Sequence, residues 1–152
     1  MNLRRWLQAG LVTAVIDFAF SSILVKFFYG STVTRLWQGV ASVPLGPDAL
    51  NGGMRSVLIG VGMHIGVAFA WTTVFLILLK LIPAIHRIAH ARFGLITLAA
   101  IYGPIVWMTM SFLVIPSMTH RPPTINFRWW VQFFGHIPAV ALPIVATLTR
   151  RD

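Results

Sequence analysis

No cysteine occurs anywhere in the 152 residues. That single absence excludes disulfides, thiolate metal sites, iron–sulfur clusters and thiol nucleophiles. Acidic residues are nearly missing as well: Asp17, Asp48 and Asp152 stand against twelve Lys and Arg, for a net charge of +9. Charge of either sign makes up only 10% of the chain, against 57% hydrophobic residues, too little to cover the surface of a soluble globule. There is no Gly-rich phosphate loop, no His-Glu-x-x-His helix and no serine with a base and an orienting partner. On these grounds the chain reads as non-enzymatic. Soluble domains run to roughly 100–200 residues, so residues 1–152 read as one transmembrane domain rather than two units.

What is present is hydrophobic length. A helix needs about 20 apolar residues to cross the hydrocarbon core at 1.5 Å of rise each. Four stretches reach that length, approximately Leu7 to Phe28, Ser56 to Leu79, Phe93 to Ile115 and Trp129 to Leu148. They predict an all-α integral membrane four-helix bundle. The first stretch follows Arg4 and Arg5, as a signal peptide would, but it is long, carries Asp17 and Lys26, and lacks a convincing small-x-small cleavage site. It is expected to be retained as a helix.

The basic residues flank the spans rather than forming one patch, which suits lipid headgroups and not nucleic acid. Arg4, Arg5, Lys80, Arg87, Arg92, Arg150 and Arg151 fall on one side, and Lys26, Arg35, Arg55, Arg121 and Arg128 on the other. The positive-inside rule then places both termini in the cytoplasm. With no organelle-targeting segment, a multi-pass protein of a bacterial inner membrane is expected.

The first outer loop, Gly30 to Arg55, contains Val33, Leu36, Trp37, Val40 and Ala41 at helical spacing. This predicts a short interfacial helix with Trp37 at headgroup depth, since an irregular loop in lipid would leave its backbone unsatisfied. Pro44, Gly46, Pro47 and Asn51-Gly52-Gly53 turn the chain back into the second span. Trp129 and Trp130 open the fourth span as an expected interfacial aromatic belt. Pro104, Pro138 and Pro143 each remove a helical hydrogen bond and are expected to kink their spans.

Ionisable residues inside a span are costly and mark function by default. Asp17 lies on one helical face with Gly10, Thr13 and Ser21. His64 and His136 lie at similar depth because the spans alternate in direction. With Gln132, one turn before His136, and Tyr102 in the third span, they form a candidate buried polar cluster: Asp17, His64, Tyr102, Gln132 and His136. The bland reading makes these packing residues that tie helices together. Two imidazoles at matched depth also suit a haem or chlorin, with Gly60, Gly62, Gly66 and Ala139 leaving room beside them. A carboxylate beside a histidine suits a pH sensor or proton relay. Gly62 and Gly66 have the small-xxx-small spacing of a helix-packing contact. His86, His90 and His120 read as solvated loop residues, although His86 and His90, one turn apart, have the spacing of a metal-binding pair.

A string of local patterns resembles the YagU-like group of small bacterial inner-membrane proteins of unknown function. It runs Leu36-x-Gln38-x-x-Ala41-Ser42 with Gly46, then Gly52-Gly53, Gly60-x-x-x-His64, Tyr102-Gly103, Ile115-Pro116, Gly135-His136 and Arg150-Arg151. The resemblance implies a four-helix membrane fold and a link to acid stress, and it brings no catalytic residues.

Three functions stay open at this point. The first is an accessory or structural subunit in a homo-oligomer or a larger membrane complex, because short-looped helices with six Trp and eleven Phe are expected to leave little room for an enclosed cavity. The second is a haem-, chlorin- or quinone-binding electron-transfer or light-harvesting component using His64 and His136. The third is a proton-linked sensor or transporter using Asp17.

Overall fold

A computed structural model describes residues 3–150; Arg151 of the orientation argument and Asp152 lie outside them. The described chain is helical, without strands. Four helices are long and apolar enough to cross a membrane: α1 (Leu3–Phe28), α3 (Gly53–Leu81), α5 (Gly94–Thr119) and α6 (Phe127–Thr149). They match the four expected stretches to within a few residues: three are contained and extended, and the third begins at Gly94, one residue after the expected Phe93. Two short helices join them, α2 (Val33–Leu45) and α4 (Pro83–Ala89). The chain is an integral, multi-pass membrane protein. Its outer surface agrees, with Val15, Phe27, Phe28, Leu58, Ile96 and Leu113 all well exposed where lipid would contact them.

Local chemistry sets the helix ends. Thr32 caps α2 by accepting from the Arg35 amide at 3.1 Å, and Asn126 caps α6 by accepting from the Trp129 amide at 3.1 Å, the usual way of satisfying first-turn donors. Gly46 and Gly53, at φ 82° and 60°, make the left-handed corners between α2 and α3. Pro83 has no amide to continue α3, so the chain breaks at an extended Ile82 and restarts as α4. Within lipid, Thr72, Thr73, Thr97, Thr119 and Thr149 return their hydroxyls to the carbonyl four residues back, leaving no polar head facing hydrocarbon.

The proline effect takes a specific form. Helices α5 and α6 each contain one widened turn with i→i+5 bonding, Met110–Val114 and Ile137–Ala141. Each turn ends two residues before a proline, Pro116 or Pro143. Extra backbone there absorbs the missing donor and the ring clash. Pro104, by contrast, sits within ordinary α-helical turns.

Helix α1 packs on α3 and α6, and α6 packs on α5. Helices α3 and α5 meet at mid-height, where Tyr102 donates to the Trp71 carbonyl at 2.6 Å and its ring lies 4.9 Å from Phe75. Toward the α4 end the bundle is filled by Phe75, Leu79, Leu98, Val106, Ile144 and Val145. Toward the other end, α2 lies across α3 and the last turns of α5. The α2 helix is present as expected, but Trp37 is 2% exposed. It stacks on Phe18 at 4.6 Å instead of facing headgroups. Trp129 is also corrected: it is buried and donates to the Ser111 hydroxyl at 2.6 Å, while Trp130 stays on the surface as a belt residue would.

Between helices in lipid there is no hydrophobic driving force, so close backbone approach counts for more than in water. Two glycines provide it. A Cβ on Gly60 would overlap the Trp37 carbonyl of α2, and one on Gly103 would lie 2.8 Å from the backbone of His136 and Ile137. Gly62 and Gly66, with the spacing of a helix-packing contact, have no atom of another described element within 4 Å of a Cβ position. A Gly103→Val variant should therefore lose about 1–3 kcal/mol of stability, as overpacking of a rigid neighbour does. Gly62→Val should leave the thermal midpoint of the monomer in detergent unchanged; equal effects at the two positions would refute this packing.

Candidate functional site

The space enclosed by the upper bundle and α2 is a cavity of about 350 Å³. Every span and α2 contribute to it, through Asp17, Trp37, His64, Trp107, His136 and a largely aliphatic and methionine remainder. Aromatic-rich, short-looped helices are expected to leave little room for an enclosed cavity, and the space they leave is small. The cavity survives because α2 bridges from α3 to α5 while those two spans touch only lower down. Its volume falls at the lower end of the range for small-molecule sites, roughly 300–1,000 Å³.

The predicted face of α1 is confirmed in part: Thr13, Asp17 and Ser21 line the cavity, whereas Gly10 packs under Phe69. Asp17 and His64 are brought together, with Oδ2 and Nδ1 3.6 Å apart and side chains only 16% and 12% exposed. That spacing is ion-pair range and longer than a hydrogen bond. His64 Nε2 lies 3.0 Å from the Ala14 carbonyl. A carbonyl only accepts, so Nε2 carries a proton and donates. Nδ1 then faces the carboxyl oxygen, and the contact is attractive when one proton lies between the two atoms, on either side. The second Asp17 oxygen is buried without a partner.

His136 reaches the same cavity from α6. Its Nδ1 lies 2.7 Å from the Gln132 carbonyl one turn earlier, which assigns the proton to Nδ1 and leaves Nε2 with a lone pair. Gln132 lines the cavity beside it. Tyr102 does not belong to this group: its hydroxyl is committed to Trp71 below the cavity floor.

The two histidines do not present matching nitrogens. His64 uses Nε2 on a backbone carbonyl, so only His136 has a free ring nitrogen of the kind a haem iron or a chlorin magnesium takes. Among the described residues no group of three His, Cys, Asp or Glu is placed to hold a metal ion. His86 and His90 stack at 6.4 Å on the exposed face of α4, with His90 Nδ1 donating to the His86 carbonyl at 2.7 Å. His120 is exposed at the end of α5.

Sequence reasoning missed Trp37 and Trp107 as site residues. Trp37 lies 5.0 Å from the His64 ring and Trp107 4.9 Å from the His136 ring, centroid to centroid. Both indole N–H groups are buried without acceptors, an unusual condition for buried donors. A signal existed for Trp107, which follows Gly103 by one turn and so shares the face that touches His136.

A second cavity, of about 360 Å³, adjoins the first at Trp107, Ile115 and Gln132 and opens among the ends of α5 and α6 and the loop between them. No protein-family model, curated protein or solved structure matches the chain.

The pairing of Asp17 with His64 has a direct consequence. Asp17→Asn can still donate its amide to Nδ1, so it should change stability little. Asp17→Leu leaves Nδ1 without a partner and should cost about 1 kcal/mol or more. Denaturant titration in one detergent would compare them, and equal losses would contradict the pairing.

Proposed function

We propose that the protein is a non-enzymatic membrane protein that binds a lipid-soluble small molecule in the cavity beneath α2. The observation that carries this reading is the cavity itself: apolar over most of its wall, closed below by Tyr102, Phe75 and Val106, and furnished with a few polar groups, Asp17, His64, Gln132 and His136. Such a wall, with sparse convergent polar atoms, is what small-molecule sites are made of.

A quinone fits this description, and the unpaired indole N–H groups of Trp37 and Trp107 would suit its carbonyls. A haem or chlorin on His136 alone is the weaker form of the same idea, and an absorbance band lost in His136→Ala would bring it forward. The Asp17–His64 pair supports a proton-linked role for the same cavity. Membership of the YagU-like group, with its link to acid stress, belongs with this reading, since His64 and His136 of its patterns meet here. Placement in a bacterial inner membrane is proposed on the resemblance, and both termini are placed in the cytoplasm on the distribution of basic residues.

A second reading, the accessory subunit that self-associates or joins a larger membrane complex, is supported by the outward stripe of Gly62 and Gly66 on α3. The two readings are compatible, since that stripe faces away from the cavity.

The test is a filled cavity. Ala68 is buried on the cavity wall, and Ala68→Phe should occupy the space. Wild-type protein purified in mild detergent should yield, on organic extraction and mass spectrometry, a compound in near-stoichiometric amount that Ala68→Phe lacks. Equal yields from both proteins, or none from the wild type, would refute the reading.

A further inference from the structure

The second cavity differs from the first in the sign of its polar groups. Arg121 and Arg128 both line it, and no Asp or Glu does. Trp107, whose buried N–H lacks an acceptor, lines both cavities. Asn126 and Thr124 add further polar groups at the rim. A wall with two guanidinium groups and an unused N–H, and no carboxylate, suits an anion.

Arg128 is held in place. Its guanidinium lies 4.5 Å from the centre of the Tyr29 ring and donates to the Tyr29 carbonyl at 3.4 Å. Burial raises the Tyr29 hydroxyl above its ordinary range, with the Arg128 charge opposing this, so the phenol stays neutral and does not compete as an anion for the guanidinium. Arg121, among the described residues, forms no ion pair or side-chain hydrogen bond.

We propose that this vestibule binds the anionic head, carboxylate or phosphate, of a single-chain amphiphile whose hydrocarbon part lies in the cavity beneath α2. The inference rests on the binding reading above and gives it a ligand class. The two compartments lie side by side and share the side chains of Trp107, Ile115 and Gln132 in their walls, which puts head site and chain site within reach of one molecule. The inner cavity is at the small end of ligand sites, which favours one chain over two.

The probes are a bromine-terminated saturated fatty acid, the matching fatty alcohol and inorganic phosphate. Quenching of the cavity tryptophans would be read in phosphatidylcholine nanodiscs as the difference between wild type and Ala68→Phe, which removes the part due to partitioning into lipid. The acid should bind at least about tenfold tighter than the alcohol, the worth of one hydrogen bond to a charged group. The double variant Arg121→Gln, Arg128→Gln should bring the acid down to the alcohol and leave the alcohol unchanged. Arg121→Gln alone, which breaks no ion pair or side-chain hydrogen bond among the described residues, should give part of that loss, and the Lys versions should restore it. Phosphate should displace the acid and not the alcohol.

If acid and alcohol bind alike, or if the arginine variants leave their ratio unchanged, the headgroup proposal is overturned while the cavity reading stands. If phosphate binds equally well to wild type and Ala68→Phe and the chain adds no affinity, the site takes free anions and the amphiphile is overturned. If neither long-chain probe distinguishes wild type from Ala68→Phe, the cavity reading itself fails.

Discussion

The backbone of α2 rests directly on α3 at Gly60, where any side chain would collide with the Trp37 carbonyl. Much else depends on that contact. It turns the apolar side of α2 inward, lays Trp37 over Phe18 and against His64, and makes α2 a roof spanning from α3 to the end of α5. Without the roof, the space between α3 and α5 would be a groove in the bundle surface, filled by lipid. In a solvent as apolar as the protein's own interior, hydrophobic burial cannot hold such a helix down. Contact distance, the Arg35 bond to the Leu50 carbonyl at 2.8 Å and the stacked rings must do so.

The prolines of α5 and α6 complement this arrangement. A helix that loses a donor inside lipid must satisfy its carbonyls some other way, and here the widened turns at Met110–Val114 and Ile137–Ala141 do it. Both turns flank the cavity, where Met110, Val114 and Val140 lie in its wall. Irregular turns of this kind often mark functional sites. Below them the helices close on a dense core of Phe75, Val106, Ile144 and Val145, so the site lies between that core and α2.

The four spans could be read from the sequence because apolar length is a property of composition, and lipid permits few other structures. The shared face of Thr13, Asp17 and Ser21 followed from helical period. The common depth of His64 and His136 followed from counting residues along spans of alternating direction. Depth says nothing about rotation, however, and Tyr102 shows the difference: it was placed with the histidines but turns onto Trp71. The amphipathic pattern of α2 likewise identified an apolar face without saying whether lipid or protein would cover it. The cavity was invisible for a further reason, since empty space arises from how helices diverge and not from any residue type. Trp129 was read as a belt residue on position alone, whereas its hydrogen bond to Ser111 across α5 and α6 required knowledge of which helices are neighbours.

The most direct measurement of this account is amide hydrogen exchange of α2 in Gly60→Leu and in the wild type, both in nanodiscs. Docking onto Gly60 predicts slow exchange across Leu36 to Ala41 in the wild type and rapid exchange there in the variant, with the spans α1 and α6 unchanged. Exchange in α2 that is the same in both proteins would show that the helix does not depend on α3, and would contradict the roofed cavity on which the functional reading stands.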